Sequence, residues 1–308
     1  MSMSLFLVQS LNGLQFGILL FLIAAGLTLV FGVMGFINLA HGVQYMIGAY
    51  LTFMFFQWTT NFFIALLLGM IVALIIGLAC EMFIFRHLYQ RNHLDQVLAT
   101  FGIILFVNEL VKVIWGPSSL ILPPPEIFSW SFEIIEGLRY PIYRLVVIAV
   151  GITVAVGLYF AVFKTRVGML VRAGATNPEM VSALGVDIKR LFMIVFGFGT
   201  MLAGFAGAIA APMFSLEPNM GDDLLITVFV VIIIGGIGSI RGAFIAAVLI
   251  GLLDTLGRAV TTDILRLFFD PSTANQIGPA LSSMLIYILM AVVLFFKPEG
   301  LFPVHRAG

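Results

Sequence analysis

Few side chains in this sequence are suited to chemistry, and the best of them stand beside glycine. Asn38 and His41 lie three residues apart in Gly32-Val-Met-Gly-Phe-Ile-Asn-Leu-Ala-His-Gly42, with apolar sequence on either side. A carboxamide and an imidazole can donate to and accept from a small polar ligand. An ionisable group within apolar sequence is a functional candidate by default. The same histidine also reads as a hydrogen-bonded packing residue, and spacing does not separate the two. Glu109 with Lys112, and Asp254 with Arg258, have the three- and four-residue spacings of self-neutralising helix pairs near the ends of apolar runs. A carrier driven by an ion gradient keeps ionisable groups inside its spans, and this sequence has few to offer.

Catalytic constellations are missing. There is no Gly-x-x-x-x-Gly-Lys-Ser/Thr run to cradle nucleotide phosphates, no His-Glu-x-x-His pair and no Gly-x-Ser-x-Gly elbow. Gly197-Phe-Gly199 and Gly236-Ile-Gly238 are fragments of a dinucleotide fingerprint that neither completes. Cys80 is the one cysteine, which rules out an intrachain disulfide and a cysteine-based metal cluster, and it reads as a small apolar packing residue. The expectation is a non-enzyme with no cofactor and no metal. Net charge is zero, so no nucleic-acid partner is expected.

The elements that must position these residues are membrane helices. The 308 residues are 61% hydrophobic and 10% charged, against about 25% charged in soluble domains, and mean hydropathy is +1.15. Glu81 is the first formal charge, and the stretch before it is long enough for three passes at about 20 residues each. It lacks the basic start of a cleavable signal peptide and runs past the usual length of one. Apolar runs fall at roughly 7–33, 43–57, 61–85, 96–114, 144–163, 191–213, 224–240, 243–257 and 279–296. Several are short for a span. Two follow glycine-rich breaks, one carrying Gly32, Gly35 and Gly42, the other Gly235, Gly236, Gly238 and Gly242. Unwound backbone at membrane depth is tolerated only where protein buries it or a wet cavity lines it, so both breaks are candidates for re-entrant or pathway-lining segments. The second, which contains Arg241, reads equally as a turn at the membrane surface.

Short-loop Lys and Arg set the sidedness. Loop 86–95 with Arg86 and Arg91, loop 164–190 with five of the fifteen basic residues, and the tail with Lys297 and Arg306 are expected in the cytoplasm. Loop 115–142 (Glu126, Glu133 and Glu136 against Arg139) and loop 214–223 (Glu217, Asp222, Asp223) are expected outside. Pro123-Pro124-Pro125 makes the first of these stiff and extended. The fold class is an all-α polytopic transmembrane helix bundle of about eight spans with broken or re-entrant segments. Residues 1–308 form a single domain, with the side of the N-terminus open. Gly199, Ala203, Gly207 and Ala211, like Gly13 and Gly17, have the small-xxx-small spacing of close helix contact.

Loop 164–190 carries more pattern than its charge requires. Asn177 is a good N-cap, Pro178 suits a first turn, Glu179 complements the helix dipole and Gly185 supplies a left-handed stop. The expected helix, Pro178 to Leu184, exposes Met180, Val181 and Leu184, and Asp187 caps the next membrane helix. Two turns are marginal alone and need something to pack on. Charge alone fits an ordinary cytoplasmic loop; cap, stop and apolar knobs fit a helix that docks in a groove.

Gly26-Leu-Thr-Leu-Val-Phe-Gly-Val-Met-Gly-Phe-Ile-Asn-Leu-Ala-His-Gly42 with Tyr45-Met-Ile-Gly-Ala-Tyr50 closely resembles the signature of branched-chain amino-acid ABC transporter permeases of the binding-protein-dependent, inner-membrane type. Gly168-Met-Leu-Val-Arg-Ala, Asn177-Pro-Glu-Met and Ala183-Leu-Gly-Val-Asp187 resemble that family's cytoplasmic coupling loop. Gly235-Gly-Ile-Gly-Ser-Ile-Arg-Gly-Ala243 and Lys297-Pro-Glu-Gly-Leu-Phe302 match in order, so the resemblance covers nearly the whole chain. It implies a bacterial inner-membrane importer subunit without catalysis of its own. A second homologous permease would complete the substrate path, two cytoplasmic ATPase subunits would supply energy, and a periplasmic binding protein would deliver a small-molecule substrate. Membrane lipid would surround the assembly. Arg172, Ala173, Asn177, Glu179, Met180, Leu184 and Gly185 would then couple to the ATPases; Asn38, His41, Gly42, Gln44 and Tyr45 would line the path. The family commonly has an acid just after the Asn-x-Ala-His-Gly stretch, where this chain has Val43 and Gln44. Urea and short-chain amide permeases share the motifs, which leaves substrate open. An ion-driven secondary transporter and a non-transporting membrane scaffold are the rival classes.

Overall fold

The computed structural model describes residues 3–135 and 138–303. Glu136 and Arg306, used above to assign sides, lie outside the described residues. Eleven α-helices follow one another there: α1 (Met3–Met34), α2 (His41–Thr59), α3 (Phe62–Phe83), α4 (His93–Trp115), α5 (Ile142–Lys164), α6 (Arg166–Thr176), α7 (Pro178–Ala183), α8 (Ile188–Ala210), α9 (Met220–Gly235), α10 (Ile240–Leu265) and α11 (Pro271–Phe296). Their starts follow from sequence. Asn61, Asn92, Thr165, Asn177, Asp187, Ser239 and Asp270 each accept a hydrogen bond from a first-turn amide, satisfying donors that a helix leaves free. A small antiparallel hairpin, β1 (Ser131–Ile135) and β2 (Leu138–Pro141), stands between α4 and α5, where the sequence suggested only a stiff loop.

Seven helices, α1, α3, α4, α5, α8, α10 and α11, are long and apolar enough to cross a membrane. The protein is a multi-pass membrane bundle, with α2 and α9 outside that set. Glu81, the first charge of the chain, is buried at the end of α3 and bonded by Arg86 at 2.9 Å and by the Tyr89 hydroxyl. The expected pairs form at the other positions: Lys112 reaches Glu109 at 2.7 Å and Arg258 reaches Asp254 at 2.9 Å.

The loops expected on one side meet each other. Leu120 and Leu216 exchange backbone hydrogen bonds of 2.9 and 2.8 Å, joining the loops after α4 and α8. On the opposite side Arg86 reaches the Met193 sulfur of α8, and Arg241 reaches Tyr159 near the end of α5. Asn12 accepts from Tyr140 and Arg144, so α1 starts on the side of the 116–141 loop. This resolves the side of the N-terminal helix: outside, given the positive-inside assignment.

Helix α1 is the axis of the bundle, buried all round from Gly17 to Val30, and it packs on α8 and α10. Its Gly26 meets Gly199 in the middle of α8, where a Cβ would lie 2.5 Å from the Gly199 carbonyl oxygen. That contact accounts for Gly199 of the small-residue stripe on α8, Gly207 meets the backbone of α2 at Tyr45, and Gly13 and Gly17 meet Gly251 and Ala247 of α10.

Two four-helix units share one plan. α1–α4 and α8–α11 each run as a long helix, a returning loop, a shorter helix and two further spans. α1 packs on α10 as α8 packs on α3, and α2 packs on α8 as α9 packs on α1. α1 runs inward and α8 runs outward, so the units are inverted with respect to the membrane. Transporters built on such repeats hold their site where the shorter, discontinuous helices meet.

Candidate translocation site and coupling segment

α1 ends at Met34 near the cytoplasmic face, where the Ile37 amide donates to Gln96 at the start of α4. Gly35, at φ +63°, turns the chain, and residues 35–40 carry it back into the bundle. His41, the first residue of α2, is fully buried level with the centre of α1, its Nε2 3.2 Å from the Ile23 carbonyl oxygen. α2 therefore starts at mid-depth and runs outward. α9 mirrors it: residues 211–219 return from the outer face, and α9 starts at mid-depth and runs inward. The first break is re-entrant, as one reading of the sequence had it.

The two starts touch at Gly42 and Gly221. A Cβ on Gly42 would lie 2.3 Å from the Gly221 carbonyl oxygen, so both positions must be bare for the half-helices to approach. Around this contact Asn38, Gln44 and Tyr45 are buried with His41. Both amide atoms of Asn38 have no hydrogen-bond partner among the described residues, while His41 and Gln44 face each other. Buried polar groups are nearly always paired. Asn38, His41 and Gln44, buried within one turn of a mid-membrane helix start, make a polar centre in an apolar bundle.

Beside it opens an outer cavity of about 210 Å³, lined by Phe16 and Ile23 of α1, Tyr45 of α2, Glu217 of the returning loop, and Asp223 and Leu224 of α9. Of the five residues expected along the path, Tyr45 alone lines this cavity; Asn38, His41, Gly42 and Gln44 pack behind it. Glu217 and Asp223 were read only as loop charges. Aligned at Gly42 and Gly221, Asp222 and Asp223 occupy the turn that Val43 and Gln44 occupy in α2, and Asp222 accepts from Asn108 at 2.8 Å. The first turn of α2 lacks a carboxylate, and that of α9 has two. Only alignment of the inverted units exposes this match, and their sequences share too little to suggest it.

The second break is a turn at the cytoplasmic end, the other reading the sequence allowed. Gly236 and Gly238, at φ +102° and +83°, join α9 to α10, and Gly235 packs on Gly242. Gly32 at the end of α1 meets Gly238, so both glycine-rich stretches converge there. The tail after α11 covers the turn: Leu301 and Phe302 donate backbone N–H groups to the Ile234 and Gly235 carbonyls, the last of α9.

The cytoplasmic segment folds as two helices where one was expected. α7 spans Pro178–Ala183, with Leu184 as its cap residue and Gly185 at φ +89° beyond. Asn177 accepts from the Met180 amide at 2.9 Å, and Glu179 lies exposed in the first turn. Met180 and Leu184 are 61% and 79% exposed, as the knobs require. Val181 is corrected: it is 6% exposed and faces inward, anchoring α7 to its own bundle. α6 was missed because Gly168 and Gly174 interrupt its apolar pattern; both lie on its buried face with Val171. Ala173 is half-buried in α6. Arg172 points back toward the bundle, donating to the Val162 carbonyl with its guanidinium 5.4 Å from the Phe163 ring centre.

Comparison with known proteins bears on this arrangement. The chain is 26% identical to the high-affinity branched-chain amino acid transport system permease protein BraD of Pseudomonas aeruginosa, over 96% of this chain and 95% of that one. It is 29% identical to the permease protein LivH of Salmonella typhimurium over 82% and 86% of the two chains. A more distant likeness, 23% identity over 92% of this chain and 68% of the other, is to the permease protein LivM of Escherichia coli. No solved structure matches. The family model for the branched-chain amino acid transport system permease component matches residues 9–294, and the chain belongs to that family.

Proposed function

We propose that this chain is one permease half of an ATP-driven importer of amino acids with apolar side chains. A homologous permease completes the path, two ATPase subunits dock on the coupling helices of the two halves, α7 being that of this chain, and a binding protein delivers substrate at the outer face of the inner membrane. The relatives named for branched-chain amino acid transport, and the likeness to both LivH- and LivM-type permeases, support the substrate and the pairing. The outer cavity fits that substrate class, with apolar walls for a branched side chain and, in Glu217 and Asp223, carboxylates without a basic partner among the described residues for an ammonium group.

One observation carries the reading: a single rigid element links the exposed knobs to the polar centre. Asp187 caps α8 directly after α7, accepting from the Arg190 amide at 3.1 Å. The middle of α8 then presses Gly199 against Gly26 beside His41. Movement of α7 by a nucleotide-driven partner would tilt α8 and shift the contact between half-helices. The chain's own residues need only transmit this motion and hold the substrate.

The test is uptake by proteoliposomes carrying the assembled complex. Met180→Asp and Leu184→Asp should leave assembly intact while ATP hydrolysis loses its coupling to leucine uptake. Normal uptake in both variants rejects α7 as the docking helix. Uptake by the purified chain alone, driven by a proton or sodium gradient, rejects the ATP-driven reading altogether.

A further inference from the structure

A second cavity, of about 430 Å³, opens at the cytoplasmic end between α1, α5, α6 and the turn joining α9 to α10. Among the described residues it is lined by two guanidinium groups and no carboxylate. Arg241 donates to the Tyr159 hydroxyl at 2.9 Å and lies 4.9 Å from the ring centres of both Tyr159 and Phe163. Arg172 approaches Phe163 from α6, and neither arginine has an acidic partner among the described residues. The wall of α1 contributes Thr28, which is fully buried and whose hydroxyl oxygen has no partner among the described residues.

Positive-inside bias explains arginines near this face, but not why two should converge in a cavity without a counter-ion and beside a buried, unpaired hydroxyl. Stacking on Phe163 and Tyr159 holds the guanidinium planes and leaves donors at their edges. That is how arginine reads an oxyanion. Basic pockets between helices on the cytoplasmic side suit phospholipid head groups. We propose that this cavity binds a phosphate group, held by Arg172 and Arg241 with Thr28 as a third donor. The phosphate is that of an anionic phospholipid or of a soluble phosphate compound. Bound there, it ties α6, next to the coupling helix, to the turn that closes α9, so occupancy would stiffen the cytoplasmic end.

The experiment is native mass spectrometry of the full chain released from nanodiscs of phosphatidylglycerol or phosphatidylcholine. A parallel titration adds inorganic phosphate to delipidated protein. Preferential retention of phosphatidylglycerol that falls about tenfold in Arg172→Gln/Arg241→Gln, but not in the exposed control Arg190→Gln, supports the proposal with a lipid source. Saturable phosphate binding with the same variant dependence, and no lipid preference, supports it with a soluble source. Thr28→Val keeps shape and both charges, and decides the matter if the double variant does not fold; about fivefold weaker binding is expected. Equal binding by wild type and the folded double variant, equal binding by wild type and Thr28→Val where the double variant does not fold, or no binding by the wild type, overturns it.

Discussion

Two residue-level features define the candidate path: a pair of glycines that must touch at mid-membrane, and outer-cavity carboxylates without a counter-charge among the described residues. Gly42→Ala places a methyl 2.3 Å from the Gly221 carbonyl, a backbone atom that cannot swing aside. Overpacking of this kind costs about 1–3 kcal/mol. The thermal midpoint of the purified protein should fall, with leucine uptake reduced. Gly102→Ala in α4 is the contrasting case, since nothing lies within 4 Å of its added methyl. There the stiffer unfolded chain should stabilise by about 0.4–1 kcal/mol. A midpoint that moves equally in both variants would remove the argument for a required contact. Asp223 makes a different claim. If its carboxylate receives the substrate ammonium, Asp223→Asn should raise the uptake KM for leucine about tenfold, the loss of one charge-assisted hydrogen bond. A neutral amide carried by the same complex should be unaffected. An unchanged leucine KM would place Asp223 off the path.

Caps and stops are local, and at the scale of elements they were the most legible part of the sequence. Asn177, Asp187 and Gly185 each act where the residue type implied, because a cap depends on neighbours within one turn. Val181 was misread because helix pattern locates an apolar residue without saying which side the bundle occupies. The docking of the tail on α9 could not be read either: Ile234 and Leu301 are distant in sequence, and only the fold brings carbonyl and amide together. Local capping also yields a pH prediction. Asp270 starts α11, accepting from the Thr273 amide at 2.9 Å and from its hydroxyl at 2.7 Å. These bonds, the amide first, hold its carboxyl below the usual range. Because the folded value is the lower one, its stabilisation is complete above the unfolded pKa of about 3.9 and is lost as pH falls through the folded value. Helix content of the wild type should therefore show an acid-side loss below about pH 4 that Asp270→Ala reduces, measured by circular dichroism. Identical acid profiles would show that the cap does not contribute.

The whole molecule was legible as a membrane bundle because hydropathy is cumulative: spans announced themselves without tertiary information, and loop arginines and carboxylates sorted correctly into two faces. The inverted units were not legible, since they share a plan of long and shorter helices rather than residues. Depth was hidden as well, because a run such as 43–57 does not reveal that it starts at the level of Ile23. Yet the inverted plan carries the mechanical prediction. In transporters of this design, access alternates as one unit rocks against the other around the fixed central site. Among the outer loops, Leu120 follows α4 of the first unit and Leu216 precedes α9 of the second, joined by two reciprocal backbone hydrogen bonds. If the outer mouth opens by parting the units, that bridge must break in each cycle. Directly opposed residues of such a pair stand about 5.5 Å apart at Cα, within the range a disulfide spans. Leu120→Cys with Leu216→Cys, in a Cys80→Ala background, should cross-link on oxidation. Uptake by the complex should then drop about tenfold, a barrier change of roughly 1.4 kcal/mol, and return with reductant. Full uptake with the cross-link complete would mean that the outer loops travel together, and that the units pivot only at the cytoplasmic end.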